Sequence, residues 1–236
     1  MKRALAGIII LVPLLITGCT FLELIYGKGE AFDLIEADFV NPGQFARISK
    51  FRSCVGHGYP DEGGSSEKHY FEPDLAQYGD TNDTITVYAP FAGTVTKVEP
   101  EQHLLPKYGN EARGRQVHIK SGANSRYTAI LFHVNQSSFI VAGAEVAAGQ
   151  LIGYADCRYP ADSENYSNFD IAIKHASGNY YSYFEMLPDD IFSAYQARTI
   201  QDREQLIFTK EEREAAPCDW DVTAPSSHWA ELGAPQ

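Results

Sequence analysis

Tyr88 to Val98 reads YAPFAGTVTKV, and Val141 to Ala155 reads VAGAEVAAGQLIGYA. Both are runs of β-forming residues punctuated by glycine. Gly93, Gly143, Gly149 and Gly153 are expected where strands turn sharply, because glycine reaches positive φ without steric cost. Val95, Val98, Val146, Leu151 and Ile152 supply the inward apolar positions between them.

Outward from these two segments the same texture continues. Thr84 to Tyr88, Gly93 to Glu99, Gln116 to Lys120, Tyr127 to Val134, Leu151 to Ala155, Phe169 to His175 and Tyr180 to Phe184 are short runs rich in Val, Ile, Thr and aromatics. Gly, Pro, Asn and Asp separate them. Several short strands at this spacing predict an all-β sandwich or barrel. Ala46 to Cys54 is partly alternating and reads as a further strand. Gly56 to Tyr78 is rich in Gly, Pro, Ser and Asp and reads as a long irregular loop.

The C-terminal part differs. Pro188-Asp189-Asp190 opens a stretch with Ile191, Phe192 and Tyr195 at helical spacing. Asp189 and Asp190 fit the start of a helix, where negative charge is favoured. Thr209 and Glu212 form a capping-box pattern for a second short helix, which Pro217 stops. The predicted organisation is a leader over 1–18, a tether over 19–44, a β domain over 45–187 and a helical or irregular extension over 188–236.

The leader reading rests on chemistry. Lys2 and Arg3 are the only charges before Cys19, and Ala4 to Ile16 is apolar. Small residues then precede Cys19. A basic start, an apolar run and small residues at a cut site mark a secretory signal. The cysteine resembles the lipobox of bacterial lipoproteins, whose thiol is acylated and becomes the new N-terminus. The competing reading is an uncleaved membrane helix. Pro13 and Thr17-Gly18 would sit badly inside one. Either way the rest of the chain is expected outside the cytoplasm, in the cell envelope facing the periplasm or exterior; in the lipoprotein reading lipid on Cys19 is its membrane contact.

The formal net charge is −12. An acidic surface repels phosphate backbones, so nucleic acid is not an expected partner. Beyond Cys19, the cysteines Cys54, Cys157 and Cys218 suggest one disulfide and one spare thiol in an oxidising compartment. The sequence leaves the pair open.

The glycine-punctuated segments resemble those of the M23 (LytM-type) peptidase domain, and they occur in that family's order. ISKFRS (Ile48 to Ser53) resembles its opening strand. YTAILFHV (Tyr127 to Val134) stands at its Tyr-x-His-Leu place, and SNFDIAIK (Ser167 to Lys174) at its His-x-His place. The resemblance covers about Ile48 to Phe184 and implies a duplicated-hybrid-motif β fold. It also implies one zinc, held by the His and Asp of a His-x-Gly-x-Asp loop and by the second His of His-x-His, beside a proton-handling His. An open three-ligand zinc site turns bound water into a nucleophile.

Carried over residue by residue, the site departs from that pattern. His69 in KHYFEPD stands as first ligand, but Pro73 occupies its i+4 place; Asp74 and Glu72 flank it. Asn168-Phe169-Asp170 replaces His-x-His, so Asp170 is the remaining ligand and an amide replaces a histidine. His133 matches its place. Two readings follow. In one, His69, Asp74 (or Glu72) and Asp170 bind zinc with His133 assisting. In the other, the site is dead and these are structural residues. His57 with Asp61 at i+4 is an alternative ligand pair, against plain turn chemistry at Gly56-His57-Gly58. Tyr180, Tyr181, Tyr183 and Phe184 read as core or rim packing, or as a stacking surface for sugar.

The functional expectations are three. The first is a non-catalytic M23-like envelope protein that binds peptidoglycan or an envelope protein acting on it. The second is a zinc metallopeptidase for cell-wall peptides with altered ligands. The third is a purely structural barrel-sandwich module. The two segments also look like halves of a biotinyl-type barrel, but the Met-Lys of a carrier is missing. A membrane-fusion adaptor would place a long helical hairpin between the halves, where residues 99–140 contain strand-like runs.

Overall fold

A computed structural model describes residues 33–58, 64–102, 104–158 and 168–234. The leader, Cys19 and most of the expected tether lie outside them. The strands are β1 (Phe45–Ser49), β2 (His69–Pro73), β3 (Thr86–Tyr88), β4 (Gly93–Pro100), β5 (Leu104–Leu105), β6 (Glu111–Ala112), β7 (Arg115–Ser121), β8 (Tyr127–Gln136), β9 (Glu145–Val146), β10 (Leu151–Ala155), β11 (Phe169–His175), β12 (Tyr180–Tyr181) and β13 (Trp229–Glu231). The helices are α1 (Leu75–Tyr78), α2 (Asp189–Gln196) and α3 (Lys210–Ala215). No helix of the described residues is long and apolar enough to cross a membrane.

The architecture is all-β, as the sequence predicts. One antiparallel sheet runs in the order β13-β1-β2-β11-β8-β7-β4-β9; β10 bridges β8 and β3, and β12 extends β11. The two glycine-punctuated segments pair with each other. Gly93 of β4 faces Val146 of β9, and Tyr88 of β3 faces Leu151 of β10. Their glycines split by role. Gly143 and Gly149 have φ of 90° and 71°, as expected at turns. Gly93 and Gly153 instead lie inside strands: a Cβ there would stand 2.1 Å from Lys120 O and 2.3 Å from Asn135 O. Close cross-strand approach, not positive φ, requires them.

The core is aromatic. Phe39, Phe71, Phe169, Tyr183, Phe184, Phe192 and Tyr195 are buried together. Phe39 meets Phe71 edge-on at 5.0 Å, and Phe184 meets Tyr195 edge-on at 5.0 Å. These rings come from both sides of the expected domain boundaries. Residues 33–44 are not tether, because Leu34, Ile35, Phe39 and Val40 are buried in the core. The extension after 187 is not separate either. Helix α2 buries Phe192 and Tyr195, and β13 adds a strand beside β1.

The capping box is formed: Thr209 Oγ1 accepts from Glu212 N, and Glu212 Oε2 from Thr209 N. Cys54 and Cys218 form the disulfide, and Cys157 is the buried free thiol. The bridge ties the segment that follows α3 to the loop after β1. Burial pushes the Cys157 thiol up to about 12, so it stays protonated and inert. The expected loop over 56–78 contains β2, which lies in the sheet between β1 and β11.

Candidate functional site

β2 and β11 pair with Phe71 opposite Phe169, Tyr70 opposite Asp170 and His69 opposite Ile171. Alternation along a strand sends neighbouring side chains to opposite faces. His69 and Phe71 therefore enter the core, while Lys68 and Tyr70 share the other face with Asp170. Lys68 reaches diagonally to its neighbour on β11, and Lys68 Nζ donates to Asp170 Oδ2 at 2.7 Å. The side chains are 4% and 0% exposed. The ammonium also sits 3.7 Å from the centre of the Phe132 ring. Such a desolvated cation over an aromatic face gains attraction from the ring quadrupole.

His133 stands beside this pair. It lies in β8 at φ 56°, a left-handed backbone that few non-glycine residues adopt. Gly114 makes room for the kink: a Cβ there would lie 2.6 Å from His133 C. The kink sets His133 Nε2 3.3 Å from Asp170 Oδ1. That contact is close but poorly aligned, and Oδ1 is buried without a hydrogen-bond partner. His133 Nδ1 lies 3.3 Å from Arg113 O. Glu101 Oε1 accepts from His133 N at 3.3 Å. Arg113 is itself buried, donating to Asp156 O and Asn168 O. Burial, then the Arg113 charge, holds the His133 imidazole down to about 3. It is neutral at physiological pH. Burial raises the Glu101 carboxyl above its usual range.

The sequence-derived candidates separate. Asp170 and His133 come together. His69 does not join them. Its Nδ1 pairs with Ser49 O at 2.9 Å and its Nε2 with Ser182 Oγ at 2.8 Å, and Phe184 meets its ring edge-on at 4.8 Å. Burial holds it down to about 4. Asp74 is exposed and caps α1 by accepting from Ala76 N at 3.0 Å. Glu72 makes a two-pronged ion pair with Arg47, at 2.8 and 2.7 Å. His57 is close enough to Lys68 and Asp170 to feel both charges; Asp61 lies outside the described residues.

These residues do not fit a zinc ion. Both ring nitrogens of His69 are used by the protein, Asp74 points elsewhere, and Asp170 is already neutralised by an ammonium. Among the described residues, no group of three His, Cys, Asp or Glu side chains could hold a metal. A divalent ion at Asp170 would have to displace Lys68 and sit in the field of Arg113.

Lys68, Glu101 and Arg113 escaped the sequence reading. Lys68 was legible in part. Alternation along HYFEP, extended by one residue, puts Lys68 and Tyr70 on one face. Glu101 and Arg113 carried no local signal, since the β5–β6 excursion between them brings them to the site only by tertiary folding.

No family model matches the chain, and no curated protein matches it. Among solved structures, several are similar in fold, three of which illustrate the range. The first is the catalytic domain of the antimicrobial peptidase lysostaphin from Staphylococcus simulans: 13% identity, TM-score 0.38, 57% of this chain and 84% of that one. The second is a putative M23 peptidase from Pseudomonas aeruginosa: 10% identity, TM-score 0.38, 65% of this chain and 52% of that one. The third is a structure of the SpoIIQ–SpoIIIAH pore-forming complex: 16% identity, TM-score 0.42, 67% of this chain and 95% of that one. The chain spans 42% of the length of lysostaphin as solved in solution.

Proposed function

We propose that this chain is a lipid-anchored, non-catalytic M23-like envelope protein that binds peptidoglycan or a protein acting on it. The observation that carries the non-catalytic reading is the Lys68–Asp170 pair. Where the resemblance places a zinc-binding histidine, this chain has a carboxylate joined at 2.7 Å to a buried ammonium. Charge neutrality at the site is reached without a metal. His133 remains, but a neutral imidazole facing a neutralised carboxylate has no activated water to serve. Asn168 replaces the other histidine and has no titrating proton to move.

What supports anchoring is the run from Met1 to Cys19, with its basic start, apolar stretch and small residues before the thiol. Labelling cells with a radioactive fatty acid tests this arm. Label is expected on the chain and absent from Cys19→Ser; label on both variants, or on neither, overturns it.

Co-sedimentation of the purified full chain with sacculi, with and without added zinc, tests the remainder. The expected result is sedimentation with sacculi, or with sacculi carrying their bound proteins, and no release of soluble muropeptides. Zinc-dependent release of muropeptides returns the site to the metallopeptidase reading. No sedimentation in either preparation overturns the binding reading.

A further inference from the structure

We infer that a cationic groove on the open face of the sheet binds an anionic, carboxylate-bearing glycan. The groove is shallow and open to solvent, with a volume of about 570 Å³, and is lined by Lys120, Arg126, Lys174 and His175 together with small hydroxyl residues. No acidic residue lines it. That is notable on a chain with 31 acids and 19 bases.

The register makes the groove a built feature. Lys120 of β7 faces Thr128 of β8, and Thr128 faces Lys174 of β11. The three form one row across three strands, so their side chains share a face. The lysines stand about 10 Å apart, twice the strand spacing. Among the described residues, none of Lys120, Arg126 and Lys174 has an ion-pair partner. On the same sheet Lys97 is matched by Glu99 at 2.5 Å. The fold thus gathers three like charges at one place without an ion pair among them, at an electrostatic cost that the Lys174–Tyr180 ring contact offsets only in part.

The surroundings favour a sugar acid over other anions. Lys174 Nζ lies 5.4 Å from the Tyr180 ring centre, and Tyr180 packs on the small apolar cluster of Ile130, Phe132 and Ala172. A half-buried ring beside cations and hydroxyls suits a pyranose face, its hydroxyls and its carboxylate together. A nucleic acid or an anionic membrane would meet the rest of an acidic molecule. Lys174 stands four residues from Asp170 on β11, or about 13 Å, so the groove is a separate place. The inference holds whether or not the Lys68–Asp170 pair excludes a metal.

The test is titration of the full chain with oligogalacturonate in low salt, followed by calorimetry. Saturable binding is expected, weakened by added salt. Lys174→Glu should weaken it at least tenfold, whereas Lys210→Glu, the same charge change on α3, should leave it within twofold. Intact thermal unfolding of both variants shows that the fold persists. No binding at low salt, equal weakening by both variants, or equal affinity for neutral dextran overturns the proposal. So does tighter binding of anionic vesicles or single-stranded DNA that Lys174→Glu abolishes.

Discussion

Lys68→Met keeps the aliphatic stem and deletes the ammonium. Asp170, fully buried, is then left charged and without its 2.7 Å partner. Its Oδ1 already lacks a hydrogen bond, and the nearest remaining group, the neutral His133 imidazole at 3.3 Å, carries no charge to offset it. Removing one member of a buried ion pair costs about 3–5 kcal/mol, because the survivor keeps its desolvation penalty. In a domain of this size each kcal/mol moves Tm by about 2–4 °C, so a drop of about 6–20 °C is expected. Lys68→Met/Asp170→Leu removes both charges and should return to within about 1–2 kcal/mol of the parent, or exceed it. The coupling energy of the cycle then exceeds about 2 kcal/mol. Urea unfolding followed by tryptophan fluorescence measures all four proteins. If Lys68→Met falls within about 1 kcal/mol of the parent, or the two single changes add, the pair does not hold a desolvated charge and the reasoning fails.

Three other outcomes are expected. Burial pushes Asp38 up to about 6, against hydrogen bonds from Tyr195 and Tyr183 that favour its charge. The folded state therefore binds more protons than the unfolded one between about pH 4 and 6, and stability falls across that window by an amount on the order of 2–3 kcal/mol; Asp38→Asn should flatten this slope, and an unchanged slope in urea titrations at pH 4, 5, 6 and 7 counts against it. The Cys54–Cys218 bridge closes a separation of 164 residues, so Cys54→Ser/Cys218→Ser should cost about 2–5 kcal/mol, and an identical urea midpoint with and without reductant would contradict that. Gly114→Ala places a Cβ against the His133 backbone at φ +64°; it should cost more than about 1 kcal/mol and shift the His133 imidazole resonances, whereas an unaltered spectrum and Tm would mean the kink does not depend on this glycine.

Much of the fold was legible because β sequence is local. Val, Ile and aromatic runs bounded by Gly and Pro marked β3, β4, β7, β8, β10 and β11 closely, and Thr209 with Glu212 marked the start of α3. Two things hid. β2 lies within a stretch whose Gly, Pro, Ser and Asp content reads as loop, although Tyr70 and Phe71 within it are strand formers. Residues 19–44 read as tether because Gly27-Lys28-Gly29 breaks any early helix and no alternation marks a strand, and the stretch after 187 reads as an appendix because its pattern turns helical. Phe39, Phe192 and Tyr195 nevertheless bury against Phe184 and Tyr183, and only the assembled core reveals that.

Of the candidate site, the sequence makes legible which residues lie near one another only in part. The resemblance points to His133 and Asp170, and these two side chains stand 3.3 Å apart. His69 was misplaced by one strand position: its neighbour Lys68 faces Asp170, while His69 faces the core. A motif match gives sequence position, and strand alternation decides which side of the sheet that position serves.

Zinc titration of the purified full chain by calorimetry, after removal of trace metal, bears most directly on the claim that an ammonium stands where a metal would. The account predicts no saturable one-to-one binding in the parent chain, and the same flat trace for Asp170→Asn. One tight equivalent of zinc in the parent, lost in Asp170→Asn, would contradict it.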